Sequence, residues 1–192
     1  IISVSSYYSD NLTSLVKVTS NGFRGDSKNS DVTLVAEVSV KSNTGRPSDY
    51  WYENAQFINK LNAKGIGEKA LERTLKKMDP KKIQSGQYTV IIENRVAGNI
   101  FSPFYQSLLG SSLYQKQSFL LDKINKSVAS PLLTVYDDPL IPSGPGSRLY
   151  DREGLAPVKR PIIENGILKN YYIDCYYGRK LGLQPTSGSS SN

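Results

Sequence analysis

Hydrophobic and polar positions change rhythm along this chain. In the first forty residues the period is two. Residues 14–20 are rich in β-branched side chains, and residues 31–40 alternate between polar and apolar. Asn21-Gly22 marks a turn and residues 24–30 read as a polar loop, so an antiparallel meander is predicted. Residues 42–49, made mostly of Gly, Pro, Ser, Asn and Thr, read as a linker. Helical spacing begins near Trp51 with Ala55, Ile58 and Leu61. Gly65 and Gly67 interrupt it. Ile66, Ala70, Leu71, Leu75 and Met78 form a second stripe, closed by Asp79-Pro80. A short helix, a glycine break and a helix of about three turns are expected.

Residues 84–86 read as a turn and residues 88–92 as a short buried strand. Val96, Ile100, Phe104 and Leu108 recur at four-residue steps and predict a helix over 95–109. Pro103 sits awkwardly inside it. Either the helix starts there, with Ser102 as N-cap, or it is kinked. From residue 132 onward strands dominate. Residues 132–136 form one, 139–147 a Pro/Gly-rich loop, and 161–169 a hairpin with Asn165-Gly166 as a type I′ turn. Residues 171–177 read as a further strand with Cys175 inside it, a core cysteine. The tail, residues 185–192, can bury little surface and is expected to be mobile unless a partner holds it. The fold class is α+β: antiparallel strands with two or three helices.

Composition then narrows the chemistry. The 192 residues contain no histidine, one cysteine and one methionine, and the chain does not begin with that methionine. It reads as internal to a longer protein or as a processed end. Without histidine, neither a His-based nucleophile nor a common His-ligated zinc site can be built from this chain. One thiol forms no intramolecular disulfide, and cytoplasm is the expected compartment. No apolar run approaches the length of a membrane-spanning helix. The net charge of +7 favours anionic partners. The basic residues are dispersed, however, and Lys76, Lys77, Lys81 and Lys82 read as a solvated helix end. There is no basic helix and no aromatic-basic RNA motif, so nucleic acid is not an expected partner. Arg24-Gly25-Asp26 is read as a chance match to an adhesion motif.

The one acidic grouping is Asp137, Asp138, Asp151 and Glu153, at a strand end and in the following loop. Such carboxylates hold a hard cation through oxygen, or cap turns and accept backbone N–H groups. They are the candidate cleft or loop residues. Gly144-Pro145-Gly146 lacks the lysine of a phosphate loop, and no nucleophile elbow is present.

Three stretches resemble the TldD/PmbA family, and within it the PmbA (TldE) branch. They are residues 83–92, residues 113–122, and the ordered series Asp137-Asp138-Pro139, Tyr150-Asp151-Arg152-Glu153-Gly154 and Ile162 to Leu168. Arg179 to Leu183 and Pro185 to Gly188 continue the series. The resemblance implies that residues 1–82 close an α/β N-terminal domain and residues 83–192 open a β-rich C-terminal domain, truncated here. It also implies a two-subunit cytoplasmic protease for peptide maturation and proteolysis. In it a TldD-type subunit carries an HExxxH zinc motif that the PmbA-type subunit lacks. The positions matching that motif here hold Ser102, Pro103 and Ser107. No cofactor is therefore expected in this chain, zinc being expected in the TldD-type partner. The expected partners are that subunit or a second copy, plus a peptide substrate. Two alternatives follow: a nucleic-acid or DNA-gyrase-associated binding protein, and an independent hydrolase using the acidic group.

Overall fold

The structure, a computed structural model, describes residues 1–186. The chain forms two compact units. One comprises Ile1–Val16 and Asp26–Tyr88; the other comprises Lys17–Gly25 and the chain from Thr89 onward. The class is α+β, as the pattern predicts, with four α-helices among the described residues.

In the first unit, β1 (Ser3–Val18), β2 (Arg24–Ser39) and β3 (Ser48–Ala55) form a sheet in sequence order. Residues 24–30 are therefore strand, not loop. Gly22, at φ 88°, closes the turn with its N–H on Thr19 O, and the ladder continues from there. A two-stranded ribbon with both faces in water tolerates the polar residues that made this stretch read as loop. β3 pairs antiparallel with β2, Trp51 opposite Ala36 and Asp49 opposite Val38. Helix did not form around Trp51, because Tyr50, Trp51 and Tyr52 suit a pleated, half-buried surface. The expected Ala55–Ile58–Leu61 stripe shrinks to the 3-10 turn Ile58–Lys60, with Ile58 exposed. Gly65, at φ 79°, then starts α1 (Ile66–Leu75). Its buried face packs Ile66 and Ala70 against Ala36, Val38, Val40 and Trp51. Thr74, fully buried, sits within hydrogen-bond reach of Ala70 O and Val38 O, at 2.8 and 3.0 Å. Lys69 and Arg73 cover the Trp51 ring at 4.3 and 5.3 Å.

In the second unit, α2 (Asn94–Ser107) runs unbroken through Pro103. It does not start at Ser102, and its apolar stripe is buried only at the C-terminal end. Leu108 is buried while Val96 and Ile100 are exposed. Two short helices that periodicity did not reveal follow: α3 (Gly110–Tyr114) and α4 (Cys175–Leu181). The second sheet holds β4 (Val135–Asp137), β5 (Arg160–Glu164) and β6 (Ile167–Leu168) in that order. Glu164 faces Ile167 across the two-residue turn at Asn165-Gly166, both at positive φ, as a type I′ turn requires. Leu108, Leu113, Leu120, Ile162, Ile163, Leu168, Tyr171 and Ile173 form the core.

Three further expectations are corrected here. Residues 88–92 are not a buried strand: Val90 and Ile91 are exposed, Ile91 at 95%. Residues 132–136 give strand only from Val135. Residues 171–177 do not form one strand. The Asp174 side chain accepts the Tyr177 N–H at 2.6 Å and starts α4, so Cys175 lies in a helix and is half-buried. At the tail, Thr186 is fastened to Ile173 through both its N–H and its hydroxyl; the rest of that prediction lies outside the described residues.

Candidate functional site

Ser102, Pro103 and Ser107, the positions that the resemblance sets against the zinc motif, lie on α2 but do not converge. Ser102 and Pro103 are exposed and Ser107 is buried. Ser107 Oγ donates to Pro103 O at 3.1 Å, and Ser107 O accepts the Ser118 hydroxyl at 2.5 Å. Ser107 thus ties the end of the helix to the segment that follows it.

The four carboxylates are also apart in their roles. Asp151, 2% exposed, folds its loop: Oδ1 accepts the N–H groups of Glu153 and Leu155, both at 2.9 Å. Its Oδ2 is buried without a hydrogen bond. Glu153 accepts the Cys175 N–H at 2.8 Å, at the start of α4. Burial, and after it Glu153, pushes the Cys175 thiol above its ordinary pKa. Asp138 pairs with Lys159 at 2.8 Å and accepts the Leu140 N–H at 3.2 Å. Asp137 turns the other way. Its Oδ2 accepts Arg148 Nη2 at 3.4 Å and Arg160 Nη2 at 3.1 Å.

Around Asp137 stands a cluster that the sequence did not disclose. Arg160 faces Asp137 in the β4–β5 register. Tyr172 is held by two backbone bonds beside the end of α2, from its N–H to Leu108 O and from Gly110 N to its carbonyl. Its ring lies 5.0 Å from that of Tyr105, one turn back on α2, and Arg160 covers it at 5.5 Å. Burial, then Asp137, drives both tyrosine hydroxyls above their ordinary pKa, Tyr172 strongly. The Asn165-Gly166 turn marks β5, which carries Arg160, but the pairing of β5 with β4 that sets Arg160 across from Asp137 had no signal in the sequence. Nothing marked Arg148, Tyr105 or Tyr172.

A zinc ion does not fit these residues. There is no imidazole, and the one thiol has its pKa raised. Asp137 and Asp138 are paired with cations, and Asp151 and Glu153 hold backbone N–H groups. No group of three His, Cys, Asp or Glu suited to a metal occurs among the described residues.

Two adjoining family models match the chain. Residues 1–78 fit the central domain and residues 85–191 the C-terminal domain of the PmbA/TldA metallopeptidases. The chain belongs to the TldD/PmbA family, in its PmbA branch. Metalloprotease PmbA of Escherichia coli O157:H7 is 32% identical over 155 residues, covering 80% of this chain and 34% of that protein. A crystal structure from Bacteroides thetaiotaomicron, described as a candidate modulator of DNA gyrase, superimposes with a TM-score of 0.94. It is 42% identical and covers 98% of this chain and 43% of its own. TldE from Thermococcus kodakarensis shares the fold at a TM-score of 0.78 and 21% identity, covering 95% and 41%. The chain thus spans about a third of the length of the curated relatives it matches. Within the described residues of this PmbA-branch chain, no helix is long and apolar enough to cross a membrane.

Proposed function

We propose that this chain is part of a PmbA/TldE-type subunit that does no zinc chemistry itself and serves a TldD/TldE-like metalloprotease as its non-catalytic partner. The observation that carries this reading is the donor set on α2. Ser102, Pro103 and Ser107 stand where the family resemblance puts a metal ligand, a general base and a second ligand. A neutral hydroxyl is a poor zinc ligand, and proline offers no base. Ser107 is used instead to fasten the helix end. Zinc would be held by the TldD-type partner, and this subunit would shape the path of an extended peptide. A second copy of this protein is the alternative partner, and the cytoplasm is the compartment we assign.

The test mixes the full-length protein with a TldD-type partner and an unstructured peptide. Cleavage is expected with the pair and not with this protein alone. Equal cleavage by the TldD-type protein in the absence of this one sinks the proposal. Binding to duplex DNA that falls steeply with salt would favour the gyrase-associated reading instead.

A further inference from the structure

We propose that β1 is a pairing edge for a second copy of this chain, the two β1 strands lying antiparallel about Asp10 and joining two three-stranded sheets into one. The proposal goes beyond the protease reading and needs no cleavage to stand. β1 is the outer strand of its sheet, and no described strand or bridge lies on its free side. A free strand edge presents a row of backbone N–H and C=O groups that another strand can meet. Folded proteins guard such edges with proline, lysine or a bulge. From Val4 to Val16 this edge holds no proline, lysine or arginine, and Asp10 is its one charge.

The side chains say which strand fits. Alternate residues of a strand share a face. Val4, Ser6, Tyr8, Asp10, Leu12, Ser14 and Val16 share one, and the series has the same character read from either end: apolar, Ser, apolar, Asp, apolar, Ser, apolar. Two antiparallel copies centred on Asp10 set Val4 opposite Val16, Ser6 opposite Ser14 and Tyr8 opposite Leu12, each pair occurring twice. A two-fold interface requires such self-complementarity. Val4, Tyr8, Leu12 and Val16 are between 48% and 74% exposed and belong to neither core, so pairing gives them cover they lack among the described residues. Asp10 meets its own copy at the axis. This is the one unfavourable contact, softened by the Tyr8 hydroxyl, which donates to the carboxylate at 3.4 Å. On the opposite face the same register brings no like charges together: Ser5 meets Leu15, Tyr7 meets Thr13 and Ser9 meets Asn11.

The test follows the full-length protein, without a protease partner, by sedimentation equilibrium across micromolar concentrations, and a dimer is expected. Leu12→Lys sets a charge against Tyr8 at both ends of the two-fold, so the dissociation constant should rise about tenfold. Asp10→Asn removes the one repulsion and should tighten the dimer about threefold. Ile58→Lys, at a similarly exposed site outside β1, should change nothing. The register is read in a Cys175→Ser background under mild oxidant. Asp10→Cys faces its own copy and should cross-link, whereas Leu15→Cys lies about 34 Å from its copy and should not. Positions 10, 12 and 15 are exposed, so these changes leave the fold intact. A full-length protein that stays monomeric overturns the proposal, whether another part of the chain or a TldD-type partner takes the edge instead. So does a dimer indifferent to Leu12→Lys, or cross-linking of Leu15→Cys as fast as that of Asp10→Cys. None of these readouts involves cleavage, so the interface and the proposed function fail separately.

Discussion

Gly166→Ala should damage the second unit more than its single methyl suggests. Gly166 sits at φ 78°, a conformation that costs an L-residue about 1–2 kcal/mol. The added Cβ would lie 2.5 Å from Ala129 O and 2.8 Å from Ser130 O, and backbone cannot step aside as a side chain can. The segment before β4 must move, and its ties to this glycine run through three bonds. Gly166 O accepts from Val128 N at 2.9 Å and Ala129 N at 3.2 Å, and Gly166 N donates to Leu133 O at 2.9 Å. Each is worth about 1 kcal/mol net. The total is about 4 kcal/mol, which for this size corresponds to a melting shift of about 10 °C. Differential scanning fluorimetry of the full-length protein reads it, with Asn165→Gly as control. Asn165 also has positive φ, so glycine there should be close to neutral. A Gly166→Ala protein melting within about 2 °C of the parent would show that the Ala129–Ser130 backbone yields freely, and would refute the reasoning.

Other outcomes follow from charged and titrating groups. Burial alone would raise the Asp49 carboxyl, but the Tyr50 N–H with Lys77 and Arg73 outweighs it and holds the pKa below the ordinary value. Its stabilisation is complete above the unfolded pKa of about 4 and lost as pH falls through the folded value. The melting gap between parent and Asp49→Asn should thus close in acid; a gap constant from neutral to acid pH contradicts this. Tyr172 is raised by burial, so its contribution is complete below the unfolded tyrosine pKa of about 10 and lost as pH climbs toward the folded value. Tyr172→Phe should therefore flatten the alkaline fall in stability, and an unchanged alkaline profile counts against it. Cys175 should alkylate more slowly than a free thiol near pH 8, and Glu153→Gln should speed it while still accepting the Cys175 N–H. Equal rates in parent and variant would remove Glu153 as a cause.

What could be read from the sequence was whatever local chemistry decides. The Asn165-Gly166 turn fixes a register by itself, and the stripe from Ile66 to Leu75 needs one face to bury. Where tertiary partners decide, the reading failed. Trp51 became strand because β2 and α1 enclose it, and residues 24–30 became strand because a turn earlier in the chain extends the ladder. Residues 88–92 have strand composition and no strand to pair with among the described residues. The site divides in the same way. The carboxylates at 137, 138, 151 and 153 were visible as letters; Asp151 engages its own loop, yet the engagements of the other three depend on Arg160, Lys159 and Cys175, each supplied from further along the chain. The arginine–tyrosine cluster gathers residues 105, 148, 160 and 172, which no spacing rule connects.

The tip of the β1–β2 hairpin carries a consequence for modularity. Residues 17–25 belong to the second unit although they precede it by more than sixty positions. There Phe23 meets Tyr150 edge-on at 5.1 Å, Lys17 donates to the Arg152 carbonyl, and Gly25 and Gly154 each lie where a methyl would strike an aromatic ring. A gene cut between these units would strand the tip with the wrong half. The downstream product would inherit Tyr150 and Gly154 shaped for a phenylalanine it no longer encodes. Recombination can therefore exchange the downstream half between relatives only where the donor's own hairpin tip travels with it, or where the recipient's tip happens to match.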